Sequence, residues 1–490
     1  MAGTSLPMPS MRPKCRRSGL LCSGFANGWL RGTDSTDPGQ ITNPGNDRNR
    51  IIRLRNTPPT RLDNKKLEQR PRVPMNQESI SQSIAIVHPI TLSHGRNAEV
   101  WDTDGKRYID FVGGIGVLNL GHCNPAVVEA IQAQATRLTH YAFNAAPHGP
   151  YLALMEQLSQ FVPVSYPLAG MLTNSGAEAA ENALKVARGA TGKRAIIAFD
   201  GGFHGRTLAT LNLNGKVAPY KQRVGELPGP VYHLPYPSAD TGVTCEQALK
   251  AMDRLFSVEL AVEDVAAFIF EPVQGEGGFL ALDPPFAQAL RRFCDERGIL
   301  IIIDEIQSGF GRTGQRFAFP RLGIEPDLLL LAKSIAGGMP LGAVVGRKEL
   351  MASLPKGGLG GTYSGNPIAC AAALASLAQM TDENVATWGE RQEQAIVSRV
   401  ERWKSSGLSP YIGRLTGVGA MRGIEFVNAD GSPAPAPLAK VMEAARAKGL
   451  LLMPSGKARH IIRLLAPLTI EAEVLEEGLD ILEQCLTELN

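Results

Sequence analysis

From about Ile84 onward, apolar and polar residues follow regular patterns along the chain. The segment from Val100 to Phe111 predicts a β-hairpin with an Asp-Gly turn at residues 104–105, because this dipeptide favours tight hairpin turns. Apolar residues at helical spacing then predict helices over residues 125–139 and 150–160. This first part of the patterned chain therefore mixes strand and helix.

Short apolar runs alternate with helical patterns through the middle of the chain, which predicts a parallel sheet with crossover helices. The runs are continuously hydrophobic rather than alternating, as is typical of strands covered on both faces. The predicted strands are Met171-Leu172, Ala195–Phe199, Ala266–Phe270, Ile299–Ile303, Leu328–Leu331 and Gly342–Val345.

The pattern changes after two helices that we predict over residues 367–380 and 383–404. Strands are predicted at residues 412–427, 450–453 and 461–465, with a closing helix at residues 471–488. These elements predict a smaller α+β domain beside the large sheet.

Length and composition are those of a globular enzyme. A chain of 490 residues is long enough for two packed domains, and 44% apolar with 20% charged residues is ordinary for a soluble protein. No apolar run is long enough for a membrane span, so we expect no membrane partner. The seven cysteines form no C-x-x-C pair, which favours a reducing compartment and argues against zinc fingers.

The basic charge of the chain is confined to its start. Residues 1–74 contain 14 Lys and Arg but 5 Asp and Glu, so their net charge is +9. Because the whole chain has a net charge of +3, the remaining 416 residues have a net charge of −6. An acidic body makes nucleic acid an unexpected partner. We predict that residues 1–80 are a disordered tail or a non-native extension. A transit peptide, a functional arm and a true start at Met75 are the three explanations, and the last is favoured.

Polar residues follow four of the predicted strands, at the edge where open parallel sheets bind ligands. Lys333 can act as a desolvated nucleophile toward an aldehyde, and Asp304 can keep a pyridinium nitrogen protonated. A turn at residues 175–177 opens a helix whose free N–H groups suit a phosphate. Glu271 and Glu276 follow a fourth strand. Each feature alone is common, but together at one sheet edge they predict pyridoxal phosphate as the cofactor.

Other cofactor classes lack their motifs. The glycine cluster at residues 113–116 has Asn119 where a dinucleotide-binding fingerprint requires glycine. Gly192-Lys193 is followed by arginine, with alanine at position 187, so it is not a phosphate-binding Walker loop. No H-E-x-x-H or comparable spacing predicts a metal site.

Long segments resemble the class-III aminotransferases of fold type I, most closely the 4-aminobutyrate (GABA) aminotransferases. The resemblance runs from about Ile84 to the C-terminus. It is carried by FVGGIGVLNLGHCNP (111–125), SGAEAAENALKVAR (175–188), GGFHGRT (201–207), FEPVQGEGGF (270–279), IIIDEIQSGFGRTG (301–314), LLAKSIAGGMPLG (330–342), GGTYSGNPIA (360–369) and IIRLLAPLT (461–469).

The resemblance implies an α/β fold with two domains built from several segments. A large domain with a mostly parallel sheet would span residues 136–385 and bind pyridoxal phosphate. A smaller α+β domain would combine residues 81–135 with residues 386–490.

The resemblance also implies how the cofactor ring is held. Lys333 would bind the cofactor as a Schiff base and shuttle the catalytic proton. Asp304 would contact the pyridinium nitrogen, Gln307 would bind the phenolic oxygen, and Phe203 would stack on the ring.

The phosphate would be bound by two parts of the protein. Gly176 and Ala177 would present backbone N–H groups, and Thr362 would be donated by a neighbouring subunit. The resemblance therefore implies a homodimer or homotetramer with shared active sites.

For the substrate, the resemblance implies recognition of two carboxylates. Arg206 would bind the carboxylate far from the reacting amine, and Arg463 the α-carboxylate of glutamate or 2-oxoglutarate. Glu276 would neutralise Arg463 when a substrate has no α-carboxylate. Ile115 would form an apolar wall.

These residues predict a ping-pong aminotransferase that moves the amino group of GABA or 5-aminovalerate to 2-oxoglutarate. The alternatives are an acetylornithine or ornithine enzyme, an enzyme with pyruvate as acceptor, an aminomutase, or a cofactor-binding regulator. We expect it in the cytoplasm, or in the mitochondrial matrix if the basic tail is a transit peptide.

Overall fold

A seven-stranded sheet forms the centre of the described structure, a computed structural model that describes residues 79–489. Its order is β4-β12-β11-β10-β7-β5-β6. The strands are β4 (Leu168–Thr173), β5 (Ala195–Phe199), β6 (Val231–Leu234), β7 (Val265–Phe270), β10 (Leu300–Asp304), β11 (Leu328–Leu331) and β12 (Gly342–Arg347). Within it, β12 pairs antiparallel with both β4 and β11, and the other pairs are parallel.

Both faces of this sheet are buried, which explains the continuous apolar runs. On β10, Ile301 and Ile303 lie in one apolar cluster, whereas Ile302 between them lies in the cluster on the other side. Neighbouring strands alternate in the same way, because successive side chains of a strand point to opposite faces. Helices cover the two faces, so polar groups are concentrated at the strand ends.

Two smaller sheets combine distant parts of the chain. The first has the order β1-β2-β3-β15 and the second β13-β14-β17-β16. Their strands are β1 (Leu92–Arg96), β2 (Glu99–Asp102), β3 (Arg107–Asp110), β13 (Ile412–Val418), β14 (Met421–Phe426), β15 (Leu450–Leu451), β16 (Met453–Ser455) and β17 (Ile461–Leu464). A two-stranded ribbon pairs β8 (Val273–Gln274) with β9 (Leu280–Ala281).

Five helices lie where the sequence predicted them, although the first ends at Ala135 rather than at residue 139. Besides the short turn Gly113–Gly116, the helices of the described chain are Pro125–Ala135, Gly149–Phe161, Gly176–Thr191, Leu208–Leu213, Cys245–Val258, Pro284–Arg297, Lys348–Met351, Pro367–Gln379, Asp382–Ser405, Pro435–Ala447 and Ala472–Thr487, with 3-10 turns at Val262–Asp264, Phe319–Leu322 and Lys333–Ala336. Within residues 79–489, no helix combines the length and the apolar character that crossing a bilayer requires.

The structure corrects some sequence predictions. The sheet has a seventh strand, β6, and the C-terminal part has a helix at Pro435–Ala447 that the sequence did not predict. Residues 450–451 pair with β3 in the first small sheet rather than with the strands at 412–464, and the segment at 412–427 is two strands. The tail predicted over residues 1–80 lies almost entirely outside the described residues.

Candidate active site

A cavity of about 480 Å³ opens where β4, β10 and β11 end. Nine of the eleven site residues predicted from the sequence line it: Ile115, Gly176, Ala177, Phe203, Arg206, Glu276, Asp304, Gln307 and Lys333. Arg463 lies behind the wall and bonds to Glu276. Thr362 is exposed and lies outside the cavity lining.

Lys333 lies two residues after the end of β11 and begins a 3-10 turn. Its φ of +48° is in the left-handed region, which side chains other than glycine adopt uncommonly. Burial lowers the pKa of Lys333 below that of a free lysine, although Glu271 and Asp304 act in the opposite direction. A neutral amine is therefore more accessible here than in water, as a nucleophile or a proton carrier requires.

Asp304 ends β10 and is held by two donors. The imidazole Nδ1 of His204 lies 2.7 Å from its Oδ2 atom, and the backbone N–H of Ile306 donates to Oδ1 at 3.0 Å. His204 is itself fixed by its backbone N–H, which donates to the side-chain oxygen of Asn214 at 2.7 Å. This support keeps Asp304 oriented at the cavity floor, as a partner of a pyridinium nitrogen would need.

Glu271 is a second buried carboxylate of the cavity. It accepts hydrogen bonds from the backbone N–H groups of Phe203 at 2.9 Å and Gly275 at 2.8 Å. Burial raises the pKa of Glu271, opposed by the charge of His204. Glu271 therefore fixes the backbone of the aromatic residue predicted to stack on the cofactor and that of the loop preceding Glu276.

The turn predicted to bind the phosphate begins a helix, as the sequence indicated. Ser175 caps the helix Gly176–Thr191 by accepting from the N–H of Glu178 at 3.2 Å. The first N–H groups of a helix have no partner within the helix and attract anions. A Cβ atom on Gly176 would lie 2.6 Å from a methyl carbon of Ile306, so a larger residue there would require the Ile306 side chain to shift.

The side chain of Gln307 has unused hydrogen-bonding capacity. It is buried beside Asp304, and its amide oxygen has no partner among the residues that the structure describes. A buried polar atom without a partner is costly, so a bound polar group is expected beside it. Together with the helix N-terminus, Lys333 and Asp304, this atom makes the cavity fit pyridoxal phosphate.

The second predicted substrate arginine is paired. Nη1 of Arg463 donates to Oε1 of Glu276 at 2.7 Å, and Nη2 donates to the carbonyl of Pro454 at 3.2 Å. Tyr220 donates to the other oxygen of Glu276 at 3.1 Å. Burial acts to raise the pKa of Glu276, but the charge and hydrogen bond of Arg463, together with Lys333 and Tyr220, lower that pKa. Arg463 is thus compensated without a substrate.

Arg206 differs from Arg463 because it is exposed at the cavity. Its guanidinium lies over the ring of Tyr220, 5.2 Å from the centroid. Among residues 79–489, no carboxylate forms an ion pair with it. Arg206 is therefore available for a substrate carboxylate.

Ile115 belongs to a left-handed turn. All residues of Gly113–Gly116 have positive φ, and Ile115 adopts +64° with ψ +57°. This conformation is a genuine outlier for a β-branched residue. The turn lies against the segment after Arg463, since a Cβ on Gly113 would lie 2.4 Å from the carbonyl oxygen of Leu465.

The buried Arg312 links the segment that follows Ile115 to the segment that follows Arg463. Arg312 donates to the carbonyl of Ala466 at 2.7 Å and to the side-chain oxygen of Asn119, whose amide donates to the carbonyl of Phe310. Burial lowers the pKa of Arg312 to about 9. The wall carrying Ile115 and the strand carrying Arg463 are therefore tied together.

The sequence predictions gave no role to three residues of the site. Glu271 was singled out as polar after a strand, whereas His204 and Tyr220 were not predicted to contribute. His204 directly follows Phe203 in the GGFHGRT segment, so its position in the sequence could have indicated that it lies at the site. Tyr220 lies on an irregular segment with no recognisable spacing.

A family model, Aminotransferase class-III, matches residues 81–486. The chain is 98% identical over 416 residues to a 2-aminoadipate transaminase of Pseudomonas putida, covering 85% of this chain and all of that one. It is 44% identical to a 4-aminobutyrate aminotransferase of Escherichia coli, covering 87% and 99% respectively.

A solved structure has the same fold. An amine transaminase from an uncultivated Pseudomonas species, in a PLP-bound form, superposes with a TM-score of 0.75 at 26% identity, covering 85% of this chain and 98% of that one. The predicted α/β fold of type I and the predicted cofactor, pyridoxal phosphate, are confirmed. This chain belongs to the class-III aminotransferases.

Proposed function

We propose that this aminotransferase exchanges an amino group between L-2-aminoadipate and 2-oxoglutarate, giving 2-oxoadipate and L-glutamate. The observation that carries the proposal is the presence of two arginines at one cavity. Arg206 lines it directly, and Arg463 is reached through Glu276. The relative from Pseudomonas putida, described as a 2-aminoadipate transaminase, supports the same substrate class.

Both amino acids of this reaction carry two carboxylates and differ in length by one methylene. In our proposal Arg463 binds the α-carboxylate with the bidentate fork of its guanidinium, after Glu276 has moved away. Arg206 binds the distal carboxylate. Arg206 contacts Tyr220 through the face of the ring, which leaves the N–H groups of the guanidinium free. These donors can therefore bind the distal carboxylate of a substrate of either length.

The chemical step needs a proton carrier and a fixed ring. Bound pyridoxal phosphate supplies an electron sink for the charge left when the α-proton is removed. Lys333 takes this proton at Nζ and returns it, which burial favours by lowering its pKa. Asp304 and Gln307 would hold the ring, and the buried Glu271 fixes the backbone of Phe203 beside it.

A second candidate is the reaction predicted from the sequence, with GABA or 5-aminovalerate as donor and 2-oxoglutarate as acceptor. The closed Arg463–Glu276 pair favours it, because a donor without an α-carboxylate needs this arginine neutralised. The relative from Escherichia coli, described as a 4-aminobutyrate aminotransferase, gives the same support.

Assembly and location are part of the proposal. We propose a homodimer or homotetramer in which Thr362 binds the phosphate of the neighbouring site, since its exposed position is compatible with an interface. A location in the cytoplasm stays a prediction.

The test compares amino donors with purified holoenzyme. L-2-aminoadipate, GABA and 5-aminovalerate are each supplied with 2-oxoglutarate, and the glutamate formed is measured by chromatography. We expect kcat/KM for L-2-aminoadipate to exceed that for GABA at least about ten-fold, the smallest discrimination typical of a changed substrate group. A preference for GABA would establish the second candidate. Turnover with pyruvate but not 2-oxoglutarate, or without any keto acid, would contradict both.

A further inference from the structure

Tyr220 touches three residues of the active site at once. Its hydroxyl donates to Oε2 of Glu276 at 3.1 Å. Its ring lies 5.2 Å from the guanidinium carbon of Arg206 and 5.1 Å, centroid to centroid, from the ring of Phe203. One side chain therefore links the group that neutralises Arg463, the exposed arginine and the aromatic residue beside the cofactor.

The ion pair between Arg463 and Glu276 is made through one nitrogen and one oxygen atom. Arg463 uses only Nη1 toward Glu276, while Nη2 donates to Pro454. Its Nε atom is buried and has no partner among the residues that the structure describes. An arginine that grips a carboxylate with two donors holds it more strongly and in one orientation. Because that second contact is missing, the second oxygen of Glu276 is held by Tyr220 instead.

We propose that Tyr220 is a positioning residue which holds Glu276 on Arg463 and thereby sets how strongly the enzyme favours substrates without an α-carboxylate. This role of Tyr220 rests on the proposed function, in which the α-carboxylate of a substrate must displace Glu276 from Arg463. A substrate with an α-carboxylate must break both contacts of Glu276. A substrate without one leaves both intact.

The chemistry of the hydroxyl suits this role. Burial and the neighbouring charge of Glu276 raise the pKa of Tyr220 to about 12. The hydroxyl therefore stays protonated, and can donate to Glu276, at neutral pH and well above it. Charged groups around Glu276 include Lys216 as well as Arg463 and Lys333. Among the described residues, the hydrogen bond of Arg463 goes to Oε1 and that of Tyr220 goes to Oε2.

The ring has a separate task that phenylalanine would preserve. A cation over an aromatic face is stabilised by the ring and not by the hydroxyl. Tyr220→Phe therefore removes the bond to Glu276 and retains the surface under Arg206. Tyr220→Leu removes both.

The experiment measures the dissociation constants of glutamate and GABA from the cofactor absorbance of the holoenzyme in single-turnover reactions. For Tyr220→Phe we expect the ratio of the two constants to shift about ten-fold in favour of glutamate, the effect of losing one hydrogen bond to a charged group. Tyr220→Leu is expected to shift the ratio in the same direction and also to raise the dissociation constants of both substrates. Tyr108→Phe, which loses a hydroxyl bond to Asp102 far along the N-terminal hairpin, serves as the matched control and is expected to leave the ratio unchanged.

A double-mutant cycle with Glu276→Gln makes the assignment specific. If Tyr220 acts through Glu276, the Tyr220→Phe change shifts the ratio much less in the Glu276→Gln background. An equal shift in both backgrounds, an unchanged ratio, or equal changes for both substrates would overturn the proposal. Failure of the enzyme to use L-2-aminoadipate would refute the proposed function alone, because glutamate and GABA still report on Tyr220.

Discussion

The imidazole Nδ1 atom of His204 lies 2.7 Å from Oδ2 of Asp304, and both side chains are almost completely buried. Burial disfavours a charged imidazole, but the hydrogen bond and the charge of Asp304 outweigh it and raise the pKa of His204 above its ordinary 6.5. A positively charged His204 therefore persists to higher pH than a free histidine and stabilises the carboxylate that we propose supports the cofactor ring.

The first prediction concerns the pH dependence of stability. A histidine with a raised folded-state pKa contributes stability that is complete below its unfolded-state pKa and is lost as the pH rises through the folded-state pKa. We expect His204→Gln to lower the free energy of unfolding of the apoenzyme by about 1–3 kcal/mol at pH 6 and by less at pH 9. Urea denaturation at both pH values measures the difference.

His233→Gln is the matched control for that experiment. Burial lowers the pKa of His233, so its contribution has the opposite pH dependence. If the two variants lost stability with the same pH dependence, the charged His204–Asp304 pair would be contradicted.

The second prediction concerns the half-reactions. Glu276→Ala leaves Arg463 as a buried cation without compensation when GABA is bound, whereas glutamate and 2-aminoadipate supply a carboxylate themselves. An uncompensated buried charge costs about 3–5 kcal/mol. Since the side chain of Glu276 is 24% exposed, we take the lower end and expect kcat/KM for GABA to fall about 100-fold more than for glutamate. Equal losses in both half-reactions would remove the role assigned to Glu276.

The third prediction concerns covalent attachment at Lys333. Borohydride reduction of the holoenzyme should fix the cofactor on the peptide that contains Lys333, as read by mass spectrometry. Lys333→Ala should abolish this label and lower turnover by at least about 10²–10⁴-fold, the range for loss of a proton carrier. Lys185→Ala, at an exposed site on the helix Gly176–Thr191, is the control that keeps the label. A label found elsewhere in the wild-type protein would contradict the assignment.

Much of the sheet could be predicted because its strands are buried on both faces. Leu328–Leu331 and Ala195–Phe199 have the predicted bounds, since a run of consecutive apolar residues allows little else in a covered parallel sheet. The same topology brings Asp304 and Lys333 to one edge, so their proximity followed from the order of the strands.

What the sequence did not show depends on contacts between distant residues. β6 has the sequence VYHL and is only half-buried, so it lacks a continuous apolar run. The helix Pro435–Ala447 begins with two prolines in three residues, a pattern that resembles a loop. The left-handed conformation of Ile115 contradicts the local preference of a β-branched residue and is imposed by its surroundings. Tyr220 gains its role only where it meets Glu276.

The last prediction concerns Thr362, whose exposed position in a turn before the helix Pro367–Gln379 keeps it away from the cavity of its own chain. If it serves a neighbouring site, two inactive variants should complement each other. Thr362→Glu would repel the phosphate of the neighbouring site, and Lys333→Ala would inactivate its own. A heterodimer of the two then has one site with both defects and one site with neither.

Co-expression of the two variants with different affinity tags isolates this heterodimer. We expect about half the activity of the wild-type dimer, because one of two equivalent sites is intact, and far less from either homodimer. If Thr362 instead acted on its own chain, each site of the heterodimer would carry one defect and no activity would return. The shared site would also be refuted if no heterodimer could be isolated and analytical sedimentation showed that the protein is a monomer. The recovered activity therefore distinguishes a site completed across an interface from one built by a single chain.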